Sequence, residues 1–391
     1  MKEMGMIEHP RKGKMLFVTS MPLSHSNAIG IQTLYFAEPF TPAWRHCYWD
    51  IGMGKSDAPN SYCLNSSIPR LWPFATGRGF LKREIERFGL GWWRGDRIIE
   101  SRKPRLRRIL NETGFAYVAP LRNSEATKCR EILETIGCPF VVHLWDILDE
   151  RLNADYEWLF SHAEHVFCLS EAMTEEIRKS APCETSPLAF IRPQSNYQAK
   201  CIDGDTLVIG LVGFLSSYRE GMQLLSQAVG DLRHQFKDLR LRYVGPPGQL
   251  EFIPDGLKDI TEYIGFPDDL GRDEALAECH VGYLPGPFLS PRQDLRSRYS
   301  IPSRSADYLA IGLPLIAAAN IHSATSNFFS PIRGRGYFPV SDSKDICLIA
   351  KKLRDQSFWA EAAQGCVNFF NSHFNQEEEV NKLFSIAKPF L

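Results

Sequence analysis

The chain has 391 residues, of which 44% are hydrophobic and 23% are charged, and its formal net charge is −1 at pH 7. This length exceeds what one hydrophobic core usually supports, which predicts two domains, and the balanced charge argues against a nucleic-acid-binding protein. No apolar run approaches the ~20 residues of a membrane span, and the ten scattered cysteines form no Cys-x-x-Cys pair, so a cytoplasmic protein is expected.

Strand and helix patterns alternate through the first part of the chain. The run MLFVTSMPL at 15–23 predicts a strand, and the segment at 31–40 predicts a helix after it. Short apolar runs that are bounded by turn residues and separated by helices are typical of parallel βαβ units. The same alternation returns later, with predicted strands at 115–120, 139–145 and 165–170, a helix at 124–137, and a helix capped by Ser170.

A second series follows the stretch 181–206, whose Pro, Ser and other polar residues predict a domain boundary. It begins with a predicted strand at 206–214 and a helix from Met222. Further strands are predicted at 239–245, 260–266, 280–286 and 313–319, with a helix near 303–311. The predicted organisation is one domain over 1–190, a second over 205–345, and C-terminal helices over 346–391 that pack back toward the first domain.

The stretch 76–110 interrupts this rhythm, because it holds eleven Lys or Arg residues against four acids, with aromatic side chains between them. Two interpretations stay open for this predicted insertion. It is either a solvated helical face with a loop, or a lip that binds the acceptor or touches an anionic membrane surface, since basic residues mixed with Trp suit such an interface.

The segment YSIPSRSADYLAIGLPLIA at 299–317 carries the most specific signal. Ser303, after Pro302, is placed as the N-cap of a helix, and Arg304 and Asp307 lie one turn apart on one face. A helix N-terminus with Arg304 suits a diphosphate, and the Asp307 carboxylate could accept hydrogen bonds from a ribose diol. The alternative is a capped helix that packs on a sheet and leaves Asp307 solvated.

The stretch PSRSADYLAIGLPLIA resembles the C-terminal signature of the group 1 glycosyltransferases of the GT-B fold. The resemblance implies an α/β protein with two Rossmann-like domains whose parallel sheets face each other across a deep cleft that holds a nucleotide-sugar. In that family the acid binds the nucleotide ribose, which corresponds to Asp307, and a basic residue corresponds to Arg304. The glutamate that often contacts the donor sugar is replaced here by Tyr299.

Other segments resemble the same family in the same order. At 208–225 the resemblance implies that Gly213 lets the diphosphate approach and that Arg219 neutralises it, although Glu220 stands where the family commonly has Lys. Gly30, at a helix start, corresponds to the glycine loop beside the β-phosphate. At the end of a predicted strand, Ile264 and Phe266 would flank the base.

The segment VVHLWDILDE at 141–150 resembles the family's strand end that points a histidine and an acid into the cleft. His143 would then face the sugar ring, and Asp146 would bind the acceptor or orient the histidine, because ligands of open α/β sheets lie beyond the carboxyl ends of the strands. The alternative for a single histidine at this position is a structural role in the core.

These observations predict a hexosyltransferase-like enzyme that moves a sugar from a UDP- or GDP-sugar to a sugar, lipid-linked or small-molecule acceptor in polysaccharide, glycolipid or glycoconjugate synthesis. No metal and no cofactor are expected, because basic side chains and helix N-termini can stabilise the leaving diphosphate. The alternatives are a catalytically weak GT-B-like partner protein that binds nucleotide-sugars, for which Tyr299 and Glu220 argue, and a nucleotide-sugar epimerase on the same fold.

Overall fold

The computed structural model of the protein describes residues 13–23, 28–40, 43–49, 56, 58, 60–64, 113–147, 151–265, 267–286 and 294–391. The described chain forms two parallel β-sheets with helices between successive strands, so the predicted α/β class with two Rossmann-like units is confirmed. The basic stretch 76–110 and Phe266 lie outside the described residues, and the interpretations given for them stay predictions.

The first sheet consists of strands whose apolar runs are buried on both faces, as Met15 through Val18 show with no exposed surface. Its strands are β1 (Lys14–Thr19), β2 (Trp44–Tyr48), β3 (Ser61–Cys63), β4 (Thr113–Ala119), β5 (Phe140–Leu144), β6 (His165–Cys168) and β7 (Thr185–Pro187). They are all parallel and lie side by side in the order β3-β2-β1-β4-β5-β6-β7.

In the described residues before 190, four α-helices accompany the first sheet. The last of them begins after Ser170, whose hydroxyl accepts a hydrogen bond from the Met173 amide at 3.2 Å, which confirms the predicted N-cap. The helices are α1 (Ala28–Ala37), α2 (Asn123–Ile136), α3 (Ala154–His162) and α4 (Glu171–Ile177).

The second sheet has six parallel strands that begin at Thr206. They are β8 (Thr206–Val212), β9 (Asp238–Val244), β10 (Thr261–Gly265), β11 (Val281–Pro285), β12 (Leu315–Ala318) and β13 (Tyr337–Val340). Their order across the sheet is β10-β9-β8-β11-β12-β13. The turn after β8 and the turn after β11 therefore lie next to each other at one edge of the sheet.

The helices of the second half bury one apolar stripe each, as the long helix after β8 does with Met222, Leu225, Val229 and Leu232. These helices are α5 (Arg219–Gln235), α6 (Asp255–Lys258), α7 (Asp269–Ala277), α8 (Leu295–Tyr299), α9 (Arg304–Ala310), α10 (Ala324–Phe328), α11 (Ser343–Lys352), α12 (Gln356–His373) and α13 (Gln376–Ala387). None of the helices in the described part of the chain has the length and apolarity that a membrane crossing requires.

The chain order reverses at the first strand of each sheet. In the first sheet β1 lies between β2 and β4, and in the second sheet β8 lies between β9 and β11. Parallel α/β sheets bind ligands in the crevice beyond the carboxyl ends of the strands at such a reversal. The fold therefore directs attention to the turn after β1 and the turn after β8.

The C-terminal helix crosses from the second sheet back to the first. Phe384 of α13 packs on Phe40 with ring centroids 5.9 Å apart, and Phe390 stacks on Phe115 at 5.3 Å. The side chain of Glu379 accepts a hydrogen bond at 2.9 Å from the amide of Ala189, in the segment that connects the two sheets. One continuous apolar cluster contains residues of both halves.

Candidate functional site

The turn after β8 is shaped by Gly213. Its φ of 87° lies in the left-handed region that side chains other than glycine rarely adopt. Its carbonyl oxygen accepts a hydrogen bond at 2.9 Å from the Tyr243 hydroxyl, which fixes the turn against β9. The chain then passes through Tyr218 into α5, where Arg219 is exposed in the first turn.

Arg304 holds this turn from the other side. Its guanidinium donates to the carbonyl oxygen of Val212 at 3.0 Å and to that of Phe214 at 3.1 Å, so it bridges the residues on both sides of Gly213. It also lies over the Tyr218 ring, 4.5 Å from the ring centroid. The structure thus brings Arg304 against Gly213, and Arg219 follows the same turn at the start of α5. The resemblance implies a diphosphate at all three residues.

Ser303 does not cap the helix as predicted. Its backbone is already helical, with φ −57° and ψ −32°, and its side chain makes no cap hydrogen bond. The helical turn starts one residue earlier, because the Ser305 amide and hydroxyl both donate to the carbonyl oxygen of Pro302, at 3.0 and 2.6 Å. A serine in helical conformation cannot direct its hydroxyl to the free amides that follow.

Asp307 is buried in an ion-pair cluster, whereas the sequence motif predicts a carboxylate that is either available to a ribose or solvated. Arg192 Nε lies 2.9 Å from its Oδ1, and Arg272 Nη2 lies 3.1 Å from the same oxygen. Burial raises the pKa of Asp307, and the two arginines oppose that rise. The carboxylate is therefore held by two cations through one of its oxygens.

The same cluster extends to α7 and α1. Arg192 also donates to Asp273, and Arg272 donates to Asp269 at 2.6 Å. The hydroxyl of Tyr35, on α1 of the first half, donates to Asp269. Helix α1 also contains Gly30 in its first turn, so the predicted glycine helix of the first domain is joined to the Asp307 cluster of the second.

His143 differs from its predicted place in the cleft. The ring has no exposed surface, its Nδ1 accepts a hydrogen bond from the Tyr117 hydroxyl at 2.6 Å, and its Nε2 donates to the Leu188 carbonyl oxygen at 3.2 Å. Burial lowers the pKa of His143 to about 3, so the ring is neutral. The side chain of a strand residue points to one face of the sheet, and here that face is packed, which supports the structural alternative.

Asp146 lies at the carboxyl end of β5 and is only partly buried. Its carboxylate accepts a hydrogen bond from the Ser300 hydroxyl, which belongs to the second half of the chain. Burial raises the pKa of Asp146 to about 6, while Ser300 and the charge of Arg296 act in the opposite direction. This carboxylate is therefore ionised at neutral pH and lies between the two halves.

Arg296 is a candidate site residue that the sequence motifs did not identify. Its guanidinium donates to the Ser217 carbonyl oxygen at 3.2 Å and lies 6.0 Å from the centroid of the Tyr218 ring. Its charge also acts on Asp146. Arg296 thus lies between the turn after β8 and the end of β5, and only the basic composition of the DLRSRYS segment pointed to it.

Tyr299 turns away from the turn after β8. Its ring is buried, with the centroid 4.8 Å from the guanidinium carbon of Arg298, and its hydroxyl lies beside the carboxylate of Glu176 in α4. Its carbonyl oxygen accepts a hydrogen bond from the Ser170 hydroxyl at 2.7 Å. A cavity of about 320 Å³ lies beside it. The cavity is lined by side chains of α3, α4, α8 and the end of β5, among them Ile147, Leu152, Phe160, Ile177, Leu295 and Tyr299.

The end of β10 exposes apolar side chains. Tyr263 is 40% exposed and Ile264 is 38% exposed, and Gly265 has a φ of 100°. Phe214, in the turn after β8, is 38% exposed. Large apolar side chains that stay exposed at the carboxyl edge of a sheet indicate a surface for a flat apolar ligand group. In the part of the chain that the structure describes, no cluster of His, Cys, Asp and Glu could hold a metal ion.

Comparisons with known proteins give the fold but no family. No protein-family model matches the chain, and no curated protein matches it. The chain is similar to Anabaena Alr3699/HepE in complex with UDP, with 14% identity, coverage of 95% of this chain and 98% of that chain, and a TM-score of 0.64.

Two further solved structures are similar over nearly their whole length. The α,α-trehalose 6-phosphate synthase from Burkholderia multivorans has 9% identity, coverage of 96% and 98%, and a TM-score of 0.60. A putative UDP-N-acetylglucosamine 2-epimerase from Listeria monocytogenes has 10% identity, coverage of 96% and 95%, and a TM-score of 0.57. With its two parallel Rossmann-like sheets and these structural neighbours, the chain has the GT-B fold.

Proposed function

We propose that the protein is a glycosyltransferase that moves a sugar from a nucleoside-diphosphate sugar, with UDP or GDP as the nucleotide, to an acceptor hydroxyl. The observation that carries the proposal is the bridge that Arg304 makes across Gly213, at the reversal point of the second sheet. This bridge supports a diphosphate site at the turn after β8, and it also fits the resemblance to the group 1 glycosyltransferases.

Among the described residues, three arginines lie in or next to that turn, which suits the charge of the leaving group. Bond cleavage at the anomeric carbon puts negative charge on the β-phosphate, and preorganised cations stabilise it. Arg219 is exposed at the start of α5, Arg296 contacts the Ser217 carbonyl oxygen, and Arg304 holds the turn. Arg296 would supply the second cation that the family has after the arginine and that Glu220 does not provide.

The nucleoside would lie along the edge between α9 and β10. Asp307 would bind the ribose diol, and the exposed Ile264, together with Phe266, would flank the base. Strands β10, β9, β8 and β11 are neighbours in the parallel sheet, so their carboxyl ends lie side by side along the proposed nucleotide site. This placement fits the rule that nucleotides bind at the carboxyl ends of parallel strands.

The acceptor would bind on the side of the first sheet. Asp146 would be the group that accepts the proton of the acceptor hydroxyl, because its pKa of about 6 leaves it ionised at neutral pH. Gly30 in α1 would let the backbone approach the β-phosphate. The cavity of about 320 Å³ next to Ile147, whose lining also includes Glu157, Glu176 and Arg298, offers space for part of an acceptor. The free thiols of the nine described cysteines support a reducing compartment such as the cytoplasm.

A nucleotide-sugar epimerase is the second candidate. It is favoured by the similarity to the putative UDP-N-acetylglucosamine 2-epimerase, which covers 96% of this chain. An epimerase converts its nucleotide-sugar without any acceptor. A transferase, in contrast, releases one nucleoside diphosphate for each glycoside that it forms. A binding protein without turnover is the third candidate, because Tyr299 and Glu220 depart from the family motif.

The test is an incubation of the full chain with UDP- and GDP-sugars, with and without a panel of sugar and lipid-linked acceptors. A transferase releases nucleoside diphosphate only when an acceptor is present, and Arg219→Gln lowers that rate at least tenfold by removing a charge beside the diphosphate. Arg233→Gln is the matched control, since Arg233 is an exposed arginine of the same helix that pairs with Asp259. Conversion of the sugar without acceptor would favour the epimerase, and binding without any conversion would favour the partner protein.

A further inference from the structure

The carboxylate of Asp307 is held on one side only. The closest approaches of Arg192 and Arg272 are both to Oδ1, at 2.9 and 3.1 Å. Neither oxygen of Asp307 accepts a hydrogen bond from the residues that the structure describes, so the two arginines hold Oδ1 through ion pairs, and Asp307 keeps 8% of its surface exposed. One oxygen is therefore fixed by protein cations, and the other remains to accept a hydrogen bond.

The two arginines are almost completely buried, which is unusual for charged side chains. Arg192 is 3% exposed and Arg272 is 6% exposed. Nε and Nη1 of Arg192 and Nε of Arg272 are buried without a hydrogen-bond partner among the described residues, so the contact of Arg192 Nε with Asp307 is an ion pair and not a hydrogen bond. A buried guanidinium is costly unless it is paired, so the cluster is built around the carboxylates that it binds.

The charged groups of the cluster act on the pKa of Asp307 in both directions. Burial and the nearby Asp273 and Asp269 raise the pKa of Asp307, and only Arg272 and Arg192 act against that rise. Tyr308, the next residue, has its own pKa raised by burial and is neutral. Without the arginines the pKa of Asp307 would rise further, and protonation would remove the negative charge that strengthens hydrogen bonds from a diol.

Arg192 reaches the cluster from the segment that connects the two sheets. The amide of Ile191 donates to the Gln32 side chain of α1 at 2.9 Å, so the neighbouring backbone is tied to the first half. The guanidinium itself lies between Asp273 of α7 and Asp307 of α9. Its position is thus fixed from both halves of the chain.

We propose that Arg192 and Arg272 are positioning residues of the donor site, which bind Oδ1 of Asp307 and so present Oδ2 as a charged acceptor to the ribose diol. This inference rests on the proposed function, because it requires a nucleotide in the site. It adds two residues for which neither the motif nor the resemblance gives a role. Arg192 belongs to the segment that connects the two sheets. The affinity for the ribose would therefore also depend on the conformation of that segment.

The test compares how well each protein distinguishes a nucleotide with a ribose diol from one without it. UDP, GDP and their 2′,3′-dideoxy analogues are titrated into the wild-type chain, and the better pair is carried forward. A charge-assisted hydrogen bond to the diol corresponds to a preference of about 10- to 100-fold for the ribonucleotide. In Arg192→Gln and Arg272→Gln that preference falls to about two-fold or less, while binding of the dideoxy analogue changes little.

The pH dependence gives a second readout that general damage would not produce. Loss of a cation beside Asp307 raises the pH below which the preference for the diol disappears, and Arg192→Lys, which keeps the charge, restores that pH toward the wild-type value. If Arg192→Gln does not fold, Arg192→Lys carries the test, because a single ammonium cannot bind Asp273 and Asp307 as the planar guanidinium does. The preference of Arg192→Lys for the ribonucleotide over the dideoxy analogue should then be at least threefold lower than that of the wild type.

Arg242→Lys is the matched control, because Arg242 is a mostly buried arginine of β9 whose partner, Glu262, is on β10. It should keep the full preference for the diol. If the folded Arg192 and Arg272 variants discriminate as the wild type does, the positioning role is rejected and the nucleotide site stands. If the wild type binds none of the nucleotides, the proposed function is rejected, and the positioning role with it.

Discussion

The hydroxyl of Ser300 donates a hydrogen bond to the carboxylate of Asp146, and this contact joins the two halves of the chain beside the turn that Arg304 holds. Ser300 immediately follows Tyr299, the residue at the motif position that often contacts a donor sugar. A carboxylate from the acceptor side thus lies next to the segment that the motif assigns to the donor. The relationship makes Asp146 the residue whose ionisation should matter most for turnover.

We expect the turnover rate to fall on acidification with a midpoint near pH 6, because burial raises the pKa of Asp146 to about 6 and the proposed reaction needs its ionised form. Asp146→Asn should lower kcat by roughly 100-fold or more, with a smaller effect on KM for the nucleotide-sugar. Rates measured from pH 5 to pH 8 test this. A pH profile that is unchanged in Asp146→Asn would remove Asp146 from the chemistry.

His143 should affect stability and not turnover. Its folded-state pKa of about 3 lies below the ordinary 6.5, so the unfolded chain binds a proton that the folded chain does not between those two values. The free energy of unfolding therefore falls as the pH drops from 6.5 toward 3, by up to about 1.4 kcal/mol per pH unit for this group. His143→Gln should show a shallower decline in urea titrations at pH 7.5, 6.5 and 5.5. Part of the decline in the free energy of unfolding should remain in His143→Gln, because the pKa of the buried His46 is also lowered to about 3.

Gly213 should be sensitive to any side chain. At a φ of 87° an added Cβ meets no atom closer than 3.9 Å, so the cost of Gly213→Ala comes from the backbone and amounts to about 1–2 kcal/mol. Gly230→Ala is the control, because a Cβ at Gly230, inside α5, has no neighbour within 4 Å, and it should stabilise the helix by about 0.5–1 kcal/mol. Urea unfolding of both variants measures the difference. Equal stabilities would contradict the strained turn.

Tyr299 should not be convertible into the glutamate of the family motif. Its ring packs under Arg298 and beside Glu176, so Tyr299→Glu puts a second carboxylate next to Glu176 and leaves the apolar space unfilled. We expect a lower melting temperature and no gain in turnover, whereas Tyr299→Phe should be close to the wild type in both. A clear increase in transfer rate in Tyr299→Glu would show that this side chain faces the donor sugar after all.

The sequence predicted the sheets well because their central strands are continuous apolar runs, as in β8 and β12. It missed β2, β3, β7 and β13. The last three are edge strands of three or four residues, and β7 lies inside the polar stretch that predicts the domain boundary. Strand β2 lies inside the sheet, but its five residues include the polar Arg45 and His46. A strand of three or four residues has too few positions for a pattern, and its place is set by pairing with its neighbour.

The site was only partly predictable for a different reason. Gly213 and Arg304 belong to recognisable motifs, and the fold brings them together. Arg192, Arg272 and Arg296 act through partners that are distant in sequence, so no spacing identifies them. His143 occupies the strand end that the resemblance implies, but the face to which a strand residue points depends on register, and here that face is the core.

The most direct measurement is a calorimetric titration of UDP and of GDP into the wild type, Arg304→Gln and Asp307→Asn, with Asp231→Asn on α5 as the control. The account predicts that the wild type binds one of the two nucleotides, that both site variants weaken this binding at least 30-fold, and that Asp231→Asn does not. Binding of wild-type strength in a folded Asp307→Asn, or no binding by the wild type, would contradict a nucleotide site between the turn after β8 and helix α9.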